Sequence, residues 1–189
     1  MPASTPTQNK EFVQRFFDQV VNQRDVDSLP NFMVDDGGTC GGVSIQQMVE
    51  NPLRPGARLV PAAASRPREG ATAMRPDLEA LRDFTSHVLS AFPDMLVHID
   101  SIVAEGDTVV VRWSARGTHL GEFMGTPPTR RVIPMRSVDY FTFRDGKIAS
   151  HEGYPDSARV LARLGQLPLT PIARALAGPD PDDEPDDED

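Results

Sequence analysis

The chain has 189 residues, with 19 Lys and Arg against 28 Asp and Glu, and 39% of its residues are hydrophobic. That length suits one ordinary domain with a core of its own, and no apolar run approaches the roughly 18 residues a membrane span needs. The formal charge of −9 argues against nucleic acid and anionic membranes as partners, because both select basic patches. The charge is unevenly placed. Residues 178–189 hold eight acids and no base, leaving 19 basic against 20 acidic side chains over residues 1–177. The domain is nearly neutral and the acidity is an appendage. A single cysteine, Cys40, excludes an intramolecular disulfide and a cysteine-based zinc site. The N-terminus has neither a basic nor an apolar leader region, so cytoplasmic residence is the expectation.

In chain order, residues 7–22 read as a helix. Phe12, Val13, Phe16, Phe17, Val20 and Val21 form its apolar stripe, and Thr7 is the candidate N-cap. A shorter helix is expected over 26–33. Residues 37–76 start with a Gly-rich run, carry five prolines, and over 54–75 hold five arginines and one acid, Glu69. Such a segment with little periodicity reads as a partly ordered covering loop or as disorder. A strong helix follows over 77–91, with Leu78, Leu81, Phe84, Val88 and Leu89 on one stripe and Pro76 ahead of it.

From Leu96 onward the pattern changes to strands, at 96–104, 108–119, 131–144 and 147–154, rich in β-branched and aromatic residues. Glu105-Gly106-Asp107 and Asp145-Gly146 supply hairpin turns. A last helix over 157–164 ends at Gly165, which allows a left-handed cap. Helices first and an antiparallel meander afterwards define an α+β architecture, with helices on one face of a curved sheet that forms a cone. The expected organisation is a disordered 1–6, one domain over 7–168 with the insertion at 37–76, a surface segment over 169–177, and a disordered acidic tail over 178–189.

At this point the chain resembles the SnoaL-like polyketide cyclase (ester cyclase) family, within the nuclear transport factor 2-like cone fold. The resemblance is carried in order by Phe12 to Asp25, by Ala91-Phe92-Pro93-Asp94, and by Ala104-Glu105-Gly106-Asp107 running on to Arg112-Trp113. It continues in Gly117-Thr118-His119-Leu120-Gly121-Glu122-Phe123-Met124-Gly125-Thr126-Pro127-Pro128-Thr129, Asp145-Gly146-Lys147-Ile148, Asp156 and Gln166-Leu167-Pro168. It covers about 10–34 and 77–168, with residues 37–76 outside it. Two positions depart from the family pattern. A His usual after the second helix is replaced by Asp35-Asp36-Gly37-Gly38, and a common Trp four residues before Asp156 is Glu152.

The resemblance implies a cofactor-independent cyclase for a polyketide-like small molecule, an apolar pocket, and a homodimer paired through its sheets. It makes Asp156 the general acid/base that takes a proton flanked by carbonyls, so that the enolate closes a ring. Read from residue types alone, Asp156 is equally a helix N-cap. His119, at a strand end beside a Gly-rich loop, is the candidate auxiliary, able to orient Asp156 or donate to a developing oxyanion. It also fits a histidine bonded to backbone. On a regular strand Glu152, Tyr154 and Asp156 share one face, which places Glu152 at the substrate; a bulge near Pro155 instead turns it to water. His151 then alternates outward. Trp113, Met135 and Phe141 are candidate pocket walls or core, and Arg112 or Arg136 is a candidate for holding an oxygen-rich ligand. No zincin spacing, phosphate loop or signposted catalytic serine is present. A non-catalytic binding protein on the same scaffold and a hydroxylase-type relative are the competing readings.

Overall fold

The computed structural model describes residues 4–34, 39–42, 78–166 and 171. Most of the expected covering loop, the Asp35 to Gly38 position and the acidic tail therefore lie outside the described residues.

The first helix, α1, is Pro6–Phe16. Its cap is Thr5, two residues before the expected Thr7. The Thr5 hydroxyl accepts from the Gln8 amide at 3.3 Å while the Gln8 side chain accepts from the Thr5 amide at 2.9 Å. Pro6 at the first helical position suits this start because it has no amide to leave unpaired. The continuation, Phe17–Asn22, is a wider π turn. The extra residue per turn brings two successive rings, Phe16 and Phe17, against the sheet, each at most 7% exposed. Asn22 then clips the helix end to the sheet, accepting from Val97 N at 2.8 Å and donating to Val97 O at 3.0 Å. A 3-10 turn, Val26–Ser28, leads into α2, Leu29–Phe32.

The sheet has five strands in the order β1-β5-β4-β3-β2. β2 (Leu96–Glu105), β3 (Thr108–Thr118), β4 (Val132–Arg144) and β5 (Lys147–Pro155) form the expected antiparallel meander. β1, Thr39–Gly42, was not anticipated. It lies where the sequence reads as a Gly-rich loop and pairs parallel to β5, Cys40 opposite His151. Strand propensity is poor for Thr-Cys-Gly-Gly, but an edge strand needs only backbone groups. The free edge of β5, already met by the Val34 amide on the Ile148 carbonyl at 3.0 Å, supplies them.

α3, Leu78–Ala91, and α4, Ser157–Leu164, complete the described elements. α4 ends as expected on Gly165 at φ 82°. The core is the concave side of the sheet, where α1 and the π turn pack on β2 and β3. Phe16, Phe17, Phe141 and Trp113 make edge-to-face or tilted contacts at 6.0 to 6.2 Å between centroids.

Candidate functional site

Side chains alternate across β4, so Ile133, Met135, Ser137, Asp139, Phe141 and Phe143 form one row. All but Met135, which is half-buried, are buried. Two of the six are polar. Asp139, 4% exposed, accepts from the Ser137 hydroxyl on Oδ1 at 2.5 Å and faces His151 Nε2 through Oδ2 at 2.9 Å. The His151 ring lies flat on Phe141, 4.5 Å between centroids and 3° between planes, with the edge of Phe16 at 6.4 Å. Opposite Asp139 stands Gly153, where an added Cβ would meet Oδ1 at 3.4 Å. Asp139 is nearly closed off, while His151 keeps 21% of its side chain exposed. This is a carboxylate and an imidazole in fixed contact on the core side of the sheet, with the imidazole as the approachable member.

The sequence leaves Glu152 either at the substrate or turned to water by a bulge, with His151 alternating outward. The structure turns Glu152 outward, by a bulge placed elsewhere than near Pro155, and brings His151 to the concave side. The register slips between Thr142 and Phe143, which pair with Ser150 and Ile148. Ala149 is the extra residue of a bulge. Alternation counted from buried Ile148 puts 150, 152 and 154 inside. The bulge shifts the count by one, so beyond it His151 and Gly153 face the core. Glu152 and Tyr154 face outward, and the Tyr154 hydroxyl donates to Glu152 Oε2 at 2.8 Å. That bond to a carboxylate raises the tyrosine's pKa above its usual value.

The outer face carries a groove of about 720 Å³ lined by His98, Asp100, Arg112, Arg136, Tyr154 and Asp156, among others. Asp100 accepts from Ser114 Oγ at 2.8 Å and stands 3.7 Å from Arg112 Nε. Asp156 is exposed at its rim. Its carboxylate caps α4, accepting from the Arg159 amide at 3.3 Å. The cap reading of Asp156 therefore describes its contacts, and the carboxylate does not open onto the concave face.

His119 is fully buried. Its Nδ1 takes the Thr129 amide at 3.2 Å and the Thr129 hydroxyl at 3.1 Å, and its ring leans on Phe92 at 5.3 Å. It bonds Thr129, not Asp156, and closes the loop between β3 and β4. Burial lowers its pKa below 6.5, against a small opposing effect of Glu122. The unfolded chain takes up this proton first, so the histidine's contribution to stability is whole above pH 6.5 and is lost as pH falls through the lowered value. Thermal unfolding should therefore show a steeper fall of Tm below pH 6.5 in the wild type than in His119→Gln. Equal slopes would exclude the assignment.

The expected site thus divides. Arg112, Tyr154, Glu152 and Asp156 lie on the outer face, Met135 and Phe141 on the concave face, and His119 in the loop. Trp113 packs on Phe17 from the concave side and also borders the outer groove. Asp139, Ser137 and His151 were missed. Once Met135 and Phe141 are read as inward, the period-two rule puts Ser137 and Asp139 beside them, and that signal was available.

Among the described residues no group of three or more His, Cys, Asp or Glu is placed to hold a metal, and no helix is long and apolar enough to cross a membrane. The folded elements define an α+β cone protein with its helices packed on the inner face of a curved sheet. The profile of the SnoaL-like polyketide cyclases matches residues 66–164, and the chain belongs to that family. Aklanonic acid methyl ester cyclase AcmA from Streptomyces galilaeus is 34% identical over 65 residues, which is 34% of this chain and 45% of AcmA. The chain is thus matched to less than half of that relative's length. Among solved structures, AclR from Streptomyces galilaeus, assigned as a hydroxylase, superposes with TM-score 0.65 at 23% identity over 92% of this chain and 95% of its own. IdmH from Streptomyces antibioticus, assigned as a polyketide cyclase, gives 0.61 at 26% identity over 84% and 99%.

Proposed function

We propose that the chain is a polyketide cyclase in which His151 is the acid/base and Asp139 holds it. The observation that carries this reading is the Asp139–His151 contact on the concave face, braced by Phe141. With Nε2–H directed at the carboxylate, Nδ1 is the basic nitrogen of the ring. It takes the proton from a carbon flanked by two carbonyls. The enolate carbon attacks a third carbonyl, one C–C bond forms, and the new alkoxide recovers the proton from the imidazolium. The product is an isomer of the substrate. Asp139 contributes by stabilising the imidazolium while the proton is held.

Aklanonic acid methyl ester, the compound in AcmA's name, is the substrate to try. A cyclised product of unchanged mass, formed by the wild type and not by His151→Gln, supports the reading. Turnover by His151→Gln, or a product that has gained one oxygen, overturns it.

The outer face is assigned to a second copy of the chain. Val103, Val138, Tyr140 and Tyr154 are 38% to 62% exposed on that one face, apolar groups that a partner surface would cover. Light scattering should find a dimer that Val138→Glu converts to monomer. A monomeric wild type at tens of micromolar would remove the assignment.

A further inference from the structure

Asp139 has two carboxylate oxygens and, among the described residues, two side-chain partners. His151 takes Oδ2 and Ser137 takes Oδ1. A free carboxylate can rotate and present either oxygen, so a fixed Asp–His contact needs the other oxygen to be held. Ser137 is 4% exposed, with its hydroxyl turned to Asp139, and the residue also borders the outer groove. On the strand that borders Asp139 on its other side the facing residue is Gly153, which fills the space with neither bulk nor a donor. Among the described residues no other side chain is hydrogen-bonded to Asp139. Val111 is the register partner on β3, and the rings of Phe141 and Phe16 pack on His151. On β1 the position registered opposite His151 is Cys40.

We infer that Ser137 is a positioning residue of the acid/base pair, its hydroxyl locking Asp139 so that one oxygen alone faces His151. This rests on the proposed role of Asp139 and His151 and adds a third member to it. The hydroxyl touches no reacting atom. It decides how much of the time the imidazole stands in its working tautomer and orientation, which is a property of the free protein as well as of turnover.

Two measurements test it separately from the reaction it serves. The first is proton NMR of the free protein, where an imidazole N–H held by a buried carboxylate gives a downfield resonance, assigned to His151 by its absence in His151→Gln. The resonance is expected to persist in Ser137→Thr, which restores the hydroxyl, and to broaden or vanish in Ser137→Ala. The second is exchange of the acidic methylene proton of methyl benzoylacetate for deuterium. Here kcat is expected to fall ~10-fold in Ser137→Ala with KM within ~2-fold, and to recover in Ser137→Thr. An unchanged resonance together with an unchanged kcat in Ser137→Ala overturns the role, and so does a loss of both that Ser137→Thr fails to restore. If His151→Gln exchanges the proton as well as the wild type does, the acid/base reading has failed, while the resonance still reports on Ser137.

Discussion

Replacing Asp139 by Asn is expected to lower kcat by ~10²–10⁴-fold while leaving the fold intact. The amide has the shape of the carboxylate and can still accept from the Ser137 hydroxyl. It carries no charge to stabilise an imidazolium, and its NH2 group facing His151 Nε2 favours the tautomer with the proton on the wrong nitrogen. A loss of rate with KM little changed marks an interaction made in the transition state. Asp156→Asn supplies the contrast. Asn caps helices as well as Asp does, so stability and turnover should both be retained. Circular dichroism and thermal melts run beside the kinetics separate chemistry from folding. Activity of Asp139→Asn within ~3-fold of the wild type, or its collapse in Asp156→Asn, would move the acid/base function away from the concave face.

Gly121→Ala is expected to be the most damaging single methyl on the surface of the β3–β4 loop, at about 2–3 kcal/mol of folding free energy. A Cβ there would stand 2.7 Å from the Ser90 carbonyl oxygen and 2.9 Å from the Ala91 Cα. Both are backbone atoms at the end of α3 and cannot swing aside. The same place holds the loop on, since the Leu120 and Gly121 amides both donate to the Ala91 carbonyl, at 2.9 and 3.1 Å. Gly121 is thus needed for close approach. Gly125 is needed for a different reason, because it sits at φ 75° with open space around it. Chemical denaturation of Gly121→Ala checks the prediction, and a loss under ~0.5 kcal/mol would mean that loop and helix separate without cost.

The physical origin of Gly121 explains how much of this protein could be read from its residues. The run from Gly117 to Thr129 carries the family resemblance, and its glycines invite a functional reading. The loop in fact packs against α3 and is closed by His119. The Phe92-Pro93-Asp94 piece is similar. Asp94 accepts from the Thr118 amide at 2.6 Å and hydroxyl at 2.5 Å, bonds that lower its pKa, and it ties the end of α3 to the end of β3. In both pieces a recognisable motif marks a joint of the scaffold. Asp156 belongs with them as a helix cap, whereas Ser137 and Asp139, which interrupt an ordinary hydrophobic strand, carry the polar contacts of the inner face.

Residue order alone determined the amphipathic stripe of α1, that of α3 except for Phe84, which is 46% exposed, the two tight hairpins, the Gly165 cap, the α+β class and the family. Each of these depends on neighbours a few residues apart or on a motif. It also located the charge, separating a nearly neutral domain from its acidic tail. Tertiary structure decided which face of each strand looks inward. Period-two alternation defines two faces without saying which is buried, and one bulged residue, Ala149, exchanges them along the rest of β5. That exchange took Glu152 out of the core side and put His151 against Asp139. The strand at Thr39–Gly42 was likewise invisible beforehand, because its glycines carry no strand preference and it forms only where β5 offers an edge.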